Sequence, residues 1–373
     1  MQLTLLDRVD ETEAVDLAGP DADVFPASGA TVVLGTSSTV VIVEAGDDPA
    51  VSGVWNAEEF RLIGPAASPV ASRLMGSTPS TTVGTPVDPP VHLFVRLDGA
   101  CLYLGVAQVS MCESDADVLT RCDLYFSRPL SREVLDLVRP PVTPPPLPDP
   151  DWLGDVGTDP GKALERFATS WYPSTGARAP SVEVPDFVPG ELAGFYRLAA
   201  RRPAVLGGHN RIMPVHALSS QSSTGPLVFG VECQGGWTWS TPRAGGDSGI
   251  EPSVWLEDGR FEDRHPVAEQ EPLSGFLLQF ALKEAAINAP YGARAFALPR
   301  DFLPQLESCL RRVPLRPFLA PVAPTDFLVG PGVVATVAAA WDKDKIEVRV
   351  GAQHRVALRP LGQLGIPWRS FDG

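Results

Sequence analysis

Positive charge is scarce in this sequence of 373 residues. It has 30 lysines and arginines against 45 aspartates and glutamates, which gives a formal net charge of −15 at pH 7. A chain of that sign is poorly suited to track a phosphate backbone or an anionic membrane, so we expect neither a nucleic acid nor a membrane as partner. Long-range attraction favours a basic protein instead.

Long apolar runs and paired cysteines are also missing. No run reaches the ~18 residues that a bilayer-spanning helix needs. The first residues lack the basic region and small-residue cleavage site of a secretory signal. The five cysteines are scattered without a CxxC pair, which is typical of reduced thiols rather than of disulfides or a zinc knuckle. These features predict a cytosolic protein.

Patterns that would indicate catalysis, a metal or a nucleotide are weak. The five histidines never have metal-ligand spacing, and the glycine pairs fit neither GxGxxG nor GxxxxGK. Residues 246–249 spell GDSG, as around a serine-protease nucleophile, but no histidine stands where the base of such a protease would be expected. We therefore interpret this segment as a hairpin loop and expect no metal or cofactor. A hydrolase that uses Ser248 or a carboxylate pair remains an outside alternative.

Proline punctuates the chain most sharply at residues 139–150, which read RPPVTPPPLPDP. Fixed φ angles and missing N–H donors exclude a helix interior or a central strand there. We expect a semi-rigid spacer between domains, with an SH3-type ligand as the alternative. A second, softer boundary is expected near residues 290–300.

Residues 1–138 have the pattern of a small β-rich domain. A helix is expected at 131–138, where Ser131 can cap the free N–H groups. Short segments rich in valine, isoleucine, threonine and aromatic residues predict strands at 31–34, 39–44, 59–63, 91–97, 101–104 and 122–126.

Helical periodicity begins after the spacer. Asp159 and Pro160 predict a helix start, and a second helix is expected to begin at Pro189. Strands are then predicted at 226–233, 236–240 and 252–257, with a tight turn at 234–236, and a third helix at 273–288. Alternation places Trp237 and Trp239 on one strand face. For these two residues and Trp255, a core cluster is favoured over an exposed recognition patch.

Five segments in this part share an order that resembles a known family. They are VPGELAGFYRLAARRP at 188–203, MPVHAL at 213–218, LVFGVECQGGWTWST at 227–241, EPSVWLEDG at 251–259 and PLSGFLLQFALKEA at 272–285. Over about residues 155–300 the sequence resembles the SMI1/KNR4 family, also called the SUKH superfamily. It departs from the family pattern in two places, since the usual Glu-Asn-Gln is Glu232, Cys233 and Gln234, and the usual Asp-Pro is Glu251 and Pro252.

The resemblance implies an α+β domain that binds other proteins and has no established chemistry. Bacterial members of that family commonly act as immunity proteins that bind and neutralise a toxin, often a nuclease, whereas fungal relatives are regulatory scaffolds. The acidic composition of this chain suits a basic toxin surface. A regulatory or phage-defence scaffold is the alternative function.

The tail predicts a helix at 301–312 and strands at 332–341, 345–350 and 355–358. The fold class expected for the whole chain is α+β, with domains at 1–138, 151–300 and 301–373 around the 139–150 linker. We expect a non-catalytic protein-binding module of the immunity type. The basic toxin is expected to bind an acidic strand face around Glu232, Gln234, Glu251 and Glu257, with Trp237, Trp239 and Trp255 as anchors.

Overall fold

The computed structural model describes most of the chain, and the chain divides into two compact units. Unit 1 is Met1–Thr143 with Ser370–Asp372, and unit 2 is Pro144–Arg369 with Gly373. This division falls inside the proline-rich segment 139–150. The boundary predicted at residue 300 does not separate compact units, because strands on either side of it pair in one sheet. The described residues are 3–27, 30–35, 38–45, 54–55, 59–66, 90–115, 118–139, 143–144, 146–174, 182–219, 224–232, 235–244, 251–259, 265–319 and 323–373.

Unit 1 is rich in strands, as predicted. Its elements are β1 (Arg8–Val9), α1 (Glu11–Asp16), β2 (Asp23–Ala27), β3 (Ala30–Leu34), β4 (Thr39–Glu44), β5 (Val54–Trp55), β6 (Glu59–Ala66), β7 (Val91–Leu97), β8 (Ala100–Asp115), β9 (Val118–Phe126), α2 (Arg132–Val138) and the short strand Ser370–Phe371. The strands are ordered β1-β8-β7-β4-β3-β2-β6-β5, and β9 closes the sheet by pairing with both β6 and β8.

Strand β4 is buried on both faces because unit 1 has a core on each side of it. Val41 and Val43 pack with Phe60 in one cluster, whereas Val40 packs with Ala14 of α1 in the other. A continuous apolar strand sequence is typical of this double burial.

Each of the two helices of unit 1 differs from expectation in one respect. Helix α1, which was not predicted, has a capping box: Asp10 accepts the Glu13 N–H at 2.8 Å, and Glu13 accepts the Asp10 N–H at 3.1 Å. Helix α2 begins after Ser131 as predicted, but the Ser131 side chain makes no capping hydrogen bond to the helix.

Unit 2 mixes helices with two sheets, which gives the chain its α+β class. Sheet I has the order β10-β11-β12-β13-β14, and sheet II contains the neighbours β16-β17-β18-β19-β15. The elements are α3 (Pro160–Trp171), α4 (Gly190–Arg201), β10 (Asn210–Ile212), α5 (Val215–Ser219), β11 (Leu227–Glu232), β12 (Trp237–Thr241), β13 (Ser253–Asp258), β14 (Val267–Pro272), α6 (Leu273–Asn288), β15 (Tyr291–Pro299), α7 (Leu303–Cys309), β16 (Arg311–Arg312), β17 (Thr325–Gly330), β18 (Val333–Ala339), β19 (Lys345–Ala352) and α8 (Arg359–Gly362), with 3₁₀ turns at Asp151–Gly154, Pro203–Leu206, Arg300–Phe302 and Arg355–Leu358.

Helix α6 is the centre of unit 2. It contacts α3 and α4, and it also contacts β14 of sheet I and β18 and β19 of sheet II. Nearly all of its side chains are buried, including the polar Gln279 and Glu284. An apolar sequence around the whole circumference is typical of a helix enclosed in this way.

The predicted helix starts of unit 2 are confirmed. Asp159 accepts the Lys162 N–H at 2.9 Å and so caps α3, whose first residue is Pro160. Pro189 directly precedes α4, and α6 covers the predicted 273–288.

Two predictions in the tail were wrong. The helix expected at 301–312 is limited to α7 after a 3₁₀ turn, because Arg311 and Arg312 pair with β17 as strand β16. Residues 355–358 form a 3₁₀ turn instead of a strand, and its preceding His354 accepts the Val356 N–H at 3.2 Å. Among the described residues, no helix is long and apolar enough to cross a membrane.

Candidate functional site

Trp239 lies in the core of unit 2, so its predicted role as a surface contact was wrong. Its side chain is fully buried, and its ring lies 5.7 Å from Phe276 and 6.1 Å from Phe318 between centroids. The Trp239 indole N–H donates to Glu269 Oε1 at 3.0 Å, so the polar edge of the ring is satisfied inside the core. The favoured core interpretation of this tryptophan is confirmed.

Trp237 shares the strand face of Trp239, as the alternation predicted. The two rings are edge to face with centroids 6.3 Å apart, and Trp237 is half-buried against the core. Trp237 therefore contributes to the packing of β12 against the core more than to an exposed surface for a partner.

Glu232 closes a turn, and its predicted toxin contact on the acidic strand face was wrong. It is buried, and its Oε2 accepts the Gly236 N–H at 3.1 Å across the β11–β12 connection. Gln234 lies outside the described residues, as does the GDSG segment at 246–249.

Glu251 caps the central helix instead of lying on the strand face. It is half-buried, and its Oε1 accepts the Ser274 N–H at the first turn of α6. A carboxylate at this position satisfies a free N–H and complements the positive end of the helix dipole.

Strand β13 brings Trp255 and Glu257 together on the outer face of sheet I. Val254 and Leu256 point into the core, whereas Ser253, Trp255 and Glu257 alternate outward and are exposed. Trp255 is 39% exposed, so the core position favoured for it was wrong.

The neighbours of these two residues are fixed by strand register. Directly opposed residues point to the same face of a sheet. The first row is Val228, Ser240, Trp255 and Ala268, and the second row is Arg211, Val231, Thr238 and Glu257. The outer face of sheet I, defined by these two rows, thus has Trp255 between Ser240 and Ala268 in one row, and Arg211 and Glu257 at opposite ends of the other.

Sequence reasoning missed Glu284, a fully buried carboxylate on α6. Its two oxygens accept the backbone N–H groups of Gly208, His209 and Asn210 at 2.8 to 2.9 Å. The side-chain amides of Asn210 and Asn288 also donate to it, at 2.8 and 2.9 Å. A carboxylate with all these donors is held as an acceptor, and we assign it to anchoring the loop before β10.

Two titratable neighbours of Glu284 are His209 and Lys283. Burial lowers the pKa of His209. Burial, together with the nearby positive charge of Arg349, lowers the pKa of Lys283 to about 8. Lys283 Nζ lies 5.7 Å from the Phe318 ring centroid. Among the described residues, no group of three or more histidine, cysteine, aspartate or glutamate side chains could hold a metal ion.

Comparisons of the whole chain with protein-family models, with curated proteins and with solved structures find no match. The geometry of the outer face and the sequence itself are therefore the basis for a functional proposal.

Proposed function

We propose that this chain is a non-catalytic protein-binding module of the immunity type, which acts in the cytoplasm and neutralises a basic toxin by binding it. The observation that carries the proposal is the exposed Trp255 beside Glu257 on the outer face of sheet I. An aromatic ring that is partly exposed on a rigid sheet is a typical anchor of a protein interface.

The charge of the chain supports a basic partner. The net charge of −15 attracts positive surfaces over distances longer than a contact, and this raises the association rate. Glu257 supplies negative charge on the outer face itself, directly opposite Thr238 on β12. The toxin class that suits such a surface is a basic one, such as a nuclease domain.

The order of sequence motifs supports the immunity role. The five segments that resemble the SUKH superfamily fall on α4, α5, β11 with β12, β13 and α6, and the α+β class agrees with what that resemblance implies. Trp255 and Glu257 both belong to the EPSVWLEDG segment, so the strand that carries them on the outer face is also part of the sequence that resembles the family.

A binding experiment with matched variants tests the proposal. The probe is a purified toxin domain encoded by a gene next to that of this protein, and biolayer interferometry gives its association and dissociation rates. We expect Trp255→Ala to weaken binding by about 30-fold, mainly through faster dissociation, since a hot-spot aromatic contributes ~2 kcal/mol or more. Glu257→Lys should slow association, and raised salt should diminish that difference.

The control is Glu347→Lys, which makes the same charge change at an exposed position of β19 in sheet II. We expect it to retain the wild-type dissociation rate. Equal binding by wild type and the Trp255→Ala variant, with both shown to be folded, would remove the outer face of sheet I from the interface.

A further inference from the structure

A cleft of about 530 Å³ lies between α3, α4 and the first turn of α6. Its volume is within the range of ligand-binding pockets. Its apolar lining consists of side chains that are almost fully buried, namely Leu164, Phe195, Leu198 and Leu277. The cleft is distinct from the outer face of sheet I, since none of its lining residues belongs to the two rows that define that face.

Two helical glycines border this cleft. A Cβ added at Gly194 of α4 would meet nothing within 4 Å, and one added at Gly161 of α3 would meet only Asp159 Oδ1, at 3.4 Å. Glycine destabilises a helix interior relative to alanine. The packing of the chain itself does not require a glycine at position 194, because open space lies in front of this residue.

Ser274 lines the inner end of the cleft and is only 7% exposed. Among the described residues, its buried Oγ has no hydrogen-bond partner. Buried hydroxyl groups normally have one. An unpartnered hydroxyl beside an open cleft is therefore a second, independent indication of a ligand.

The charges around the cleft favour a cation. The lining also contains Asp159, Glu191 and, at the inner end beside Ser274, Glu251. One more carboxylate, Glu165, is paired with Arg201 at 3.1 Å. The positive end of α6 is already occupied by Glu251, so an anion would have to displace that carboxylate. Arg197 is the remaining cation of the lining, and the three other carboxylates outnumber it.

We propose that this cleft binds a lysine or arginine side chain presented by an extended segment of a partner protein. The aliphatic stem packs on Leu164, Phe195 and Leu277, and the cationic head lies toward Glu251 and Glu191 beside the Ser274 hydroxyl. Long basic side chains combine these two properties, because their stems are apolar and their heads charged. The assignment rests on the proposed function in that it takes the partner to be basic.

The test uses two fluorescein-labelled peptides and the full chain. One peptide alternates leucine with lysine, and the other alternates leucine with glutamate. Fluorescence anisotropy should detect binding of the lysine peptide and at least tenfold weaker binding of the glutamate peptide. Gly194→Leu, which adds a branched side chain at the border of the cleft, should weaken binding of the lysine peptide at least tenfold. Glu191→Lys should weaken it as well.

Three controls make the result decisive. Gly190→Leu changes a glycine of the same helix that does not line the cleft, and it should bind as the wild type does. Thermal melts show whether each variant is folded. Trp255→Ala should leave peptide binding unchanged, so that a failure of the cleft and a failure of the outer face are distinguishable.

Two outcomes would overturn the proposal. One is equal binding of the lysine peptide by wild type and a folded Gly194→Leu variant. The other is displacement of the peptide by spermidine at equal or lower concentration, which would assign the cleft to a free polyamine and not to a partner segment.

Discussion

Glu284 accepts both the backbone N–H of Asn210, at 2.9 Å, and its side-chain amide, at 2.8 Å. The two residues are 74 positions apart in sequence, so this pair ties the central helix α6 to the loop that enters sheet I. Gly207, with a φ of +93°, gives the loop the turn it needs to present consecutive N–H groups to one carboxylate.

We expect Glu284→Leu to lower the free energy of unfolding by about 3–5 kcal/mol. The substitution leaves several buried donors without an acceptor, and each unsatisfied group costs ~1–3 kcal/mol. Urea denaturation followed by circular dichroism measures the change. Glu347→Leu, at an exposed strand position, is the matched control and should be within about 0.5 kcal/mol of wild type. A Glu284→Leu variant as stable as that control would refute the anchoring role.

Trp239 and Trp255 should respond differently to the same truncation. Trp239→Ala removes a ring from the aromatic core and should cost ~3–5 kcal/mol of stability. Trp255→Ala removes a ring that is 39% exposed and should cost far less. Chemical denaturation of both variants tests this directly. Similar losses in the two variants would mean that Trp255 is also a core residue.

Local signals predicted much of unit 2. Asp159 with Pro160 marks the start of α3 by itself, and strict alternation was enough to place Trp237 and Trp239 on one face. Asp10 and Glu13 carry the same kind of local signal, since they form the capping box that marks the start of α1. These features depend on residues a few positions apart, which is why sequence alone can reveal them.

The positions of the carboxylates could not be predicted in the same way. Glu232 and Glu257 look alike in sequence, yet one closes a turn inside the sheet and the other is exposed. Glu251 caps a helix that begins 22 residues later, and Glu284 meets a loop from far upstream. Their roles depend on tertiary contacts. Of the three glutamates predicted on the acidic strand face, only Glu257 is exposed on the outer face of sheet I.

The depressed pKa of Lys283 predicts a pH effect on stability. Its pKa is about 8 in the folded chain against 10.5 for an ordinary lysine, because burial disfavours the charged form. Between these values the unfolded chain binds more protons, so the free energy of unfolding should rise with pH in that window. Lys283→Met should be more stable at pH 7 and should lose this rise. Thermal melts across the window measure it.

Lys343→Met is the control for that series, since Lys343 is exposed in the turn after β18. We expect its pH profile to follow that of the wild type. A Lys283→Met profile with the same slope as wild type would show that Lys283 does not titrate in this range.

Two glycine-to-alanine substitutions should change stability in opposite directions. Gly194→Ala should raise the free energy of unfolding by about 0.5–1 kcal/mol, since its new methyl group meets nothing within 4 Å and alanine favours the helix. Gly207→Ala should lower it, since the added Cβ would lie 2.0 Å from the Asn210 carbonyl oxygen. Denaturant titrations give both values. A destabilised Gly194→Ala variant would contradict the open space assigned to the cleft.

The most direct test of the proposed immunity function is survival of bacteria that express the toxin encoded beside this gene. Wild-type protein and the Glu347→Lys control should both restore growth, whereas a variant with Trp255→Ala and Glu257→Lys, expressed to the same level and folded, should not. Growth restored equally by that double variant would contradict binding through the outer face of sheet I, and no protection by the wild type would contradict the immunity function for that toxin.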